Sequence, residues 1–476
     1  MLKLIAPFRA LFSLDSSLIA ANPSAFTEFL RHAQRELENP ESALKKALNP
    51  AAEIAVHVPA EPNDSEIGSR YIGLNANGSL YLSPRVFTLR FGADAGKQLD
   101  EIYKYAADMA DAVAQKYSRN FFPDLASLRI DLQDNTIATF SLDMVIDRAS
   151  INKNDYGWNR LDEWTTVLVH FMLAKLYDGC LFPAMEALKN FSDSNCYPYI
   201  QSVKDYTIFP DLVGDPQNPH PNLNNRFILM WVNRTLCYNG DYPANQWMKQ
   251  LMHEHADLKI HDAEVHLNAG NSIVVMPETM DKAQLAQFWE INMSAQYYYA
   301  ALDVVNINLV KYIGTIFNKQ TNRGLRRLTR ELEAIMNRVT ILQVRYHDFS
   351  MELQGTARRI FSLLQKEWDF GTLANNVHRK VELCKSNINV LNQETNSRNQ
   401  GRTEIVLTSL TGMGILNLFV ELGNYATQLP PEHRDMVGKI PGFMDLGFVM
   451  SGNALSWIGI VIAVGVVVFT VMNRRA

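Results

Sequence analysis

From Ala454 to Met472 the chain reads ALSWIGIVIAVGVVVFTVM, nineteen residues without a charge, followed only by Asn473, Arg474, Arg475 and Ala476. About 20 apolar residues span the hydrocarbon core of a bilayer, so this segment reads as a transmembrane helix. Trp457 stands near one end, where an amphipathic ring suits the interface, and the arginine pair stands at the other. A buried core helix of this length would carry a polar face. Only Ser456, Gly459, Gly465 and Thr470 interrupt the apolar run here. The chain is therefore expected to be held in a membrane by its C-terminal region.

A second uncharged stretch, IVLTSLTGMGILNLFV, covers Ile405 to Val420, with Arg402 and Glu404 before it and Glu421 after it. Sixteen residues are short for a span, and an isolated helix of this composition would insert marginally. It becomes stable when packed in an oligomer with its polar side turned to a water-filled interior. Gly414, Asn417, Glu421 and Asn424 supply that side, at i, i+3, i+7 and i+10 of one helical stripe. Thr408 and Thr411 form a second polar strip nearer the start. The stripe with Thr411 is the expected pore lining. Glu421 would form an acidic collar selecting cations, and Asn417 and Asn424 would offer amide oxygens to a hydrated ion. The expected topology is a hairpin with spans at about 403–428 and 452–472, joined by residues 429–450.

Positive charge sets the orientation. Arg398 and Arg402 precede the first span and Arg474 and Arg475 follow the second, while the connecting loop holds only Arg434 and Lys439. Both termini are expected in the cytoplasm of an inner-membrane, multi-pass protein. The opening MLKLIAPFRALFSLDSS is not read as a signal peptide, because Arg9 and Asp15 interrupt its apolar run.

The remainder has soluble-protein composition, 47% hydrophobic and 20% charged. Cys180, Cys196, Cys237 and Cys384 show no CxxC spacing, which points to a reducing compartment and away from a disulfide framework or a structural zinc. The net charge of −5 conceals an asymmetry. Residues 320–402 carry fourteen Lys and Arg against eight Asp and Glu, and residues 1–319 carry 27 against 37.

The basic stretch has a heptad. Leu325, Leu332, Val339, Tyr346, Leu353 and Ile360 recur every seven residues. Leu328, Ile335, Leu342, Phe349, Thr356 and Leu363 follow three behind. The register continues through Phe370, Ala374, Val377, Val381, Cys384, Ile388 and Leu391. This is coiled-coil periodicity, predicting a seam buried against other helices. As one helix, residues 325–391 would rise roughly 100 Å. Gly355 and Gly371 are places where it would kink or turn back, and the choice between a rod and a hairpin stays open. A helix over about 281–318, rich in aromatics, is expected beside it.

Residues 1–275 read as a mixed α/β body. Asn77-Gly78 between two alternating stretches predicts a tight hairpin. Leu128–Leu132 and Thr136–Leu142 predict a second. Helical patterns cover about 94–118, 159–190 and 243–256, and FILMWVNRTL at 227–236 and residues 272–276 read as strands. Nucleotide-binding and hydrolase motifs (GxGxxG, GxxxxGK[ST], HExxH, GxSxG) are absent, so no enzyme is expected and no catalytic residue or cofactor is assigned. His253, Glu254, His255, His261, Asp262 and His266 form a cluster. The spacing fits no closed metal motif, and on a helix His253 and His255 point about 200° apart. The cluster is read as a polar turn and no metal site is assigned, though metal binding there stays open. If the ligand of this acidic body is a nucleotide or a DNA strand, it needs local cations. Arg70, Arg85 and Arg90 near the first hairpin, and Arg226 and Arg234 around the FILMWV strand, are the candidates.

The fold class expected is thus an α/β cytosolic domain followed by a long helical stalk and two C-terminal transmembrane helices. The boundaries are a ligand-binding regulatory domain at 1–275, a coiled-coil stalk at 276–402 and a transmembrane hairpin at 403–476. This order resembles the CorA-type divalent cation channels. That family ends its first span with Gly-Met-Asn at the outer mouth. Here Glu421-Leu-Gly-Asn-Tyr425 stands there, so Gly423 and Asn424 match the ends of the motif and the Met is missing. The layout is also similar to CorA-like membrane effectors of bacterial anti-phage defence, including those of Hailong-type systems, in which a cytosolic domain binds a nucleotide or oligonucleotide and controls a pore. The resemblance implies a homo-oligomer, tetramer or pentamer, in a lipid bilayer. It would pass cations and answer to a nucleotide or single-stranded DNA oligomer. A CorA-type divalent cation transporter and a membrane-tethered coiled-coil scaffold are the alternatives.

Overall fold

Leu2, Leu4, Ala6 and Phe8 alternate with Lys3, Ile5, Pro7 and Arg9, the period of a strand. In the computed structural model, Leu2–Arg9 is β1, the central strand of a nine-stranded sheet. The structure describes residues 1–428 except 11, 16–17, 20–21, 49–51, 59–84, 92–94, 114–120, 134–136, 147–157, 203–228, 240–245, 253–254, 278, 281 and 319–321. The Asn77-Gly78 hairpin, Arg70, Arg226 and the 452–472 span lie outside the described residues.

The other strands are β2 (Phe12–Leu14), β3 (Ala52–Val56), β4 (Arg85–Phe91), β5 (Phe121–Gln133), β6 (Ile137–Ile146), β7 (Ile200–Ser202), β8 (Asn233–Asn239), β9 (Leu258–Ile260), β10 (Ala263–Leu267) and β11 (Asn271–Met276). The large sheet runs β3-β4-β5-β6-β1-β8-β11-β10-β9, and β2 pairs with β7 separately. Its pairs are antiparallel except β8 with β11. β5 and β6 form the hairpin expected from the alternation at 128–142. The FILMWV strand starts later than its apolar letters suggest, at Asn233, with Leu229 making only an isolated bridge to Phe8.

Helices α1 (Pro23–Glu38), α2 (Ala43–Ala47), α3 (Gly96–Val113), α4 (Trp158–Leu176), a π-turn (Tyr177–Leu181), α5 (Phe182–Ser194) and α6 (Gln246–Leu251) belong to the body. α1 begins by local chemistry: Asn22 accepts from the Ala25 amide at 3.1 Å and Pro23 sets the first helical φ. One face of the sheet, with Leu2, Leu4, Phe87, Leu89, Ile130, Phe140 and Leu142, forms a continuous apolar core with α1, α3, α4 and α5. Among the described residues, Leu161–Ser194 is the helical run long and apolar enough to cross a bilayer. More than half of its most apolar window is buried in this core.

The C-terminal helices are α7 (Ala286–Asn318), α8 (Asn322–Glu352), α9 (Gly355–Glu367) and α10 (Phe370–Gln428). The heptad is divided among the last three. Breaks fall at Gly355, with φ +53°, and at Asp369, with φ +51°, two residues before Gly371. Tyr346 meets Gln365 at 2.5 Å. Nineteen residues of one helix would hold them roughly 28 Å apart. So α8 and α9 fold back on each other, and a single 100 Å rod over 325–391 is not what forms. Val339, Leu342, Phe349, Leu353, Ile360, Phe370, Val377, Val381 and Cys384 are buried inside one chain. Their neighbours include Tyr298 and Tyr299 of α7.

By contacts the chain divides into two units, Met1–Cys384 and Lys385–Ala476. The described part of the second unit is helical from 385 to 428. In it, Val390, Val406, Leu407 and Leu410 are exposed. Thr408 and Thr411 return their hydroxyls to the carbonyls of Glu404 and Leu407, at 2.6 and 2.8 Å. Gly414 is helical with open space where a side chain would project. Asn417, Glu421 and Asn424 lie on the same helix, and their side chains are outside the described set.

Candidate functional site

The second face of the sheet is also covered, yet it is polar. Thr88 on β4, Asp131 and Gln133 on β5, Thr139 and Ser141 on β6, and Asn233 and Thr235 on β8 are all buried. Register places Thr88 opposite Asp131, Asp131 opposite Thr139, Ser141 opposite Ile5, and Ile5 opposite Asn233. Period 2 thus puts polar side chains of β4, β5, β6 and β8 on one face, with Ile5 of β1 between Ser141 and Asn233. α7 lies over β1 and β6 on this side. Such side chains would ordinarily face water, so they must find protein partners instead.

The partners converge on Asp131. Thr88 donates its hydroxyl to one carboxylate oxygen at 2.6 Å. Because that proton is committed, Thr88 accepts from His57 Nε2 at 2.8 Å. Arg129 Nη2 reaches the other Asp131 oxygen at 3.0 Å, and Arg85 Nη1 lies 3.7 Å from it. Glu290 of α7 closes the cluster. Its two oxygens take one arginine each, Arg129 Nη2 at 2.9 Å and Arg85 Nη1 at 3.0 Å. Arg129 also touches Met293 Sδ at 3.1 Å. Exposure is graded: the Asp131 side chain is 2% exposed, while Arg129 and Glu290 are 20% and 22%.

Charges in such a site shift according to their surroundings. Burial, then the charge of Arg85, lowers His57 to about 4, so the ring is neutral. Burial pulls Arg129 down, but Asp131 and Glu290 outweigh it and hold the guanidinium above its ordinary range. Elsewhere on this face Lys3 pairs with Asp143 at 2.7 Å and lies over the Trp289 ring. Burial lowers Arg9 to about 10, opposed by Asp303 of α7. Lys380 of α10 donates to Asn306 Oδ1 at 2.5 Å. Several buried groups on this face of the sheet and on α7, the Asn233 amide, Thr235 Oγ1 and Asn292 Nδ2, have no protein hydrogen-bond partner among the described residues. Each such group costs about 1–3 kcal/mol.

The candidate cations therefore differ in fate. Arg85 belongs to this cluster. Arg90 is exposed on β4. Arg234 is buried and saturated. Nε meets Thr165, Nη1 meets the Val232 carbonyl and Asp162, and Nη2 meets the Asp162 carbonyl and Thr166. All five donors are used, so in this conformation Arg234 has none for a phosphate. It ties β8 to α4. Arg129 and Glu290 are absent from the sequence-based set; Arg129 was marked by the Leu-Arg-Ile-Asp-Leu-Gln alternation of β5, which puts an Arg and an Asp on one face. Glu290 had no local signal.

His253 and Glu254 of the histidine cluster lie outside the described residues, and its other members separate. His261, with φ +52°, and Asp262 form the turn between β9 and β10, His266 is buried on β10, and His255 is exposed. Among the described residues no three His, Cys, Asp or Glu side chains gather to hold a metal. No family model, curated protein or solved structure matches the chain.

Proposed function

We propose that the chain is one subunit of an oligomeric ion channel whose folded body, on binding a phosphate-bearing ligand, controls a pore lined by the end of α10. The observation that carries this reading is the composition of α10 itself. One 59-residue helix contributes Phe370, Val377, Val381 and Cys384 to the core of the first unit and also holds the uncharged stretch 405–420. Exposed Val406, Leu407 and Leu410 suit a lipid or helix-packed environment better than water. The 454–472 run supplies the second span. In this reading both termini are cytoplasmic and cations permeate past Glu421. The ligand is a nucleotide or short DNA strand, and the biological setting is a bacterial defence effector of the inner membrane.

The test is flux. Purified protein in liposomes loaded with a potential-sensitive dye should dissipate a cation gradient. Tight liposomes at every protein density would remove the channel and favour a membrane-tethered scaffold.

A further inference from the structure

Arg85 and Arg129 come from adjacent strands and close on a single carboxylate from a different element. Each guanidinium takes one oxygen of Glu290, at 3.0 and 2.9 Å. Two arginines forked onto one planar anion is the geometry by which proteins hold phosphate as well as carboxylate. Among the described residues, two guanidinium groups face the carboxylates of Asp131 and Glu290. Asp131 is fixed from below by Thr88 and is almost wholly buried, so it stays. Glu290 sits at the solvent edge, 22% exposed. An anion arriving from water meets Glu290 and Arg129 without crossing the core. If it takes the two arginines, Glu290 must leave.

We propose that the Arg85–Arg129 pair is the binding site for a phosphate group of the controlling ligand, and that Glu290 occupies it as an internal stand-in until the ligand displaces it. This rests on the ligand-controlled reading above and names its site. Displacement acts on α7, because Glu290 is the anchor of that helix on β4 and β5. Asn292 on α7, and Asn233 and Thr235 on the same face of the sheet, have buried polar atoms that no described protein group reaches. α7 in turn meets α8 and α10 through Tyr298 on Phe349 and Tyr299 on Phe370, and Asn306 accepts from Lys380. A terminal phosphate or pyrophosphate carries more charge than the carboxylate it replaces, whereas a phosphodiester carries the same, so low salt favours exchange of Glu290 most for the terminal groups.

The experiment is a calorimetric titration of the purified full chain in detergent with inorganic pyrophosphate and, in a second arm, a short thymidine oligonucleotide. Glu290→Gln should bind at least one of them tenfold or more tightly than the parent, and Arg129→Met added to it should abolish the gain. A gain with either probe supports the site, and the tighter probe names the source of the phosphate. Equal affinity of parent and Glu290→Gln, or a gain that survives Arg129→Met, overturns it. Should Glu290→Gln fail to fold, hydrogen exchange on the parent decides. Saturating probe should raise exchange in residues 286–296, and unchanged protection there overturns the proposal. The readout is binding, so a failed site and a failed channel are told apart by the liposome assay.

Discussion

Tyr346 and Phe370 lie face to face, ring centroids 5.5 Å apart and planes 2° from parallel. They are separated by two helix breaks, at Gly355 and Asp369, and both rings also pack on Phe361. This contact closes the α8–α9–α10 fold-back, and Phe370 is the first residue of the helix that continues to Gln428. Phe370→Ala removes a ring that is 1% exposed. It is expected to cost about 3–5 kcal/mol and to lower the thermal midpoint of the purified protein by several degrees. An unchanged midpoint would mean the fold-back contributes little.

Arg234 gives a second stability prediction. Its five donors hold Asp162, Thr165, Thr166 and the Val232 carbonyl. Lysine keeps the charge but lacks the fork. Arg234→Lys should destabilise by about 1–3 kcal/mol, because the Thr165, Thr166 and Val232 acceptors lose donors that lysine cannot replace. It should leave affinity for pyrophosphate unaltered in protein that remains folded. A selective loss of ligand affinity with unchanged melting would restore Arg234 as a ligand contact.

His57 predicts a pH dependence. Burial and Arg85 hold it near 4 in the folded chain, whereas its ordinary value is 6.5. The unfolded chain therefore takes up a proton first, and acid favours unfolding. Stability should fall as pH drops from about 6.5 to 4, by on the order of 2 kcal/mol allowing for partial exposure, and this contribution should then level off. His57→Gln should flatten that part of the melting-versus-pH curve. A parallel curve in the variant would place the acid sensitivity elsewhere.

Much of the body was legible because its signals are local. The β5–β6 hairpin follows from alternation at 128–142, and the start of β11 from residues 272–276. Residues 2–9, not read as a signal peptide because Arg9 and Asp15 interrupt the apolar run, form the central strand, with Arg9 on its polar face. α1 was signalled by Asn22-Pro23, a cap followed by a first-turn proline, and that signal went unread. Val339, Leu342, Phe349, Leu353, Ile360, Phe370, Val377, Val381 and Cys384 of the heptad are buried, but period 7 does not say which helix buries them. For Phe349 and Phe370 the answer includes Tyr298 and Tyr299 of α7 in the same chain. Arg234 shows the converse limit. A basic residue beside a strand looks the same in sequence whether it faces a phosphate or Asp162. Glu290 was illegible because its partners stand 161 and 205 residues away.

Topology supplies a further prediction. Arg474 and Arg475 resist translocation, so a reporter fused after Ala476 should be cytoplasmic. A cysteine at Pro431 should react with an impermeant reagent from outside. Protection at 431 with an external reporter would rule out the hairpin orientation.

The pore prediction concerns Glu421 and Asn417. In a ring of subunits, Glu421→Gln should reduce cation over anion permeability, and Asn417→Leu should block conduction by making a dry constriction. Currents unchanged in size and ion preference in both variants would put the pore elsewhere.

Planar-bilayer recording of the purified full chain tests the central claim most directly. The account predicts discrete, cation-selective openings, sparse in the parent and several-fold more frequent in Glu290→Gln, where the stand-in charge is gone. A membrane that stays silent with both proteins, at densities where detergent-free incorporation is verified, would contradict it.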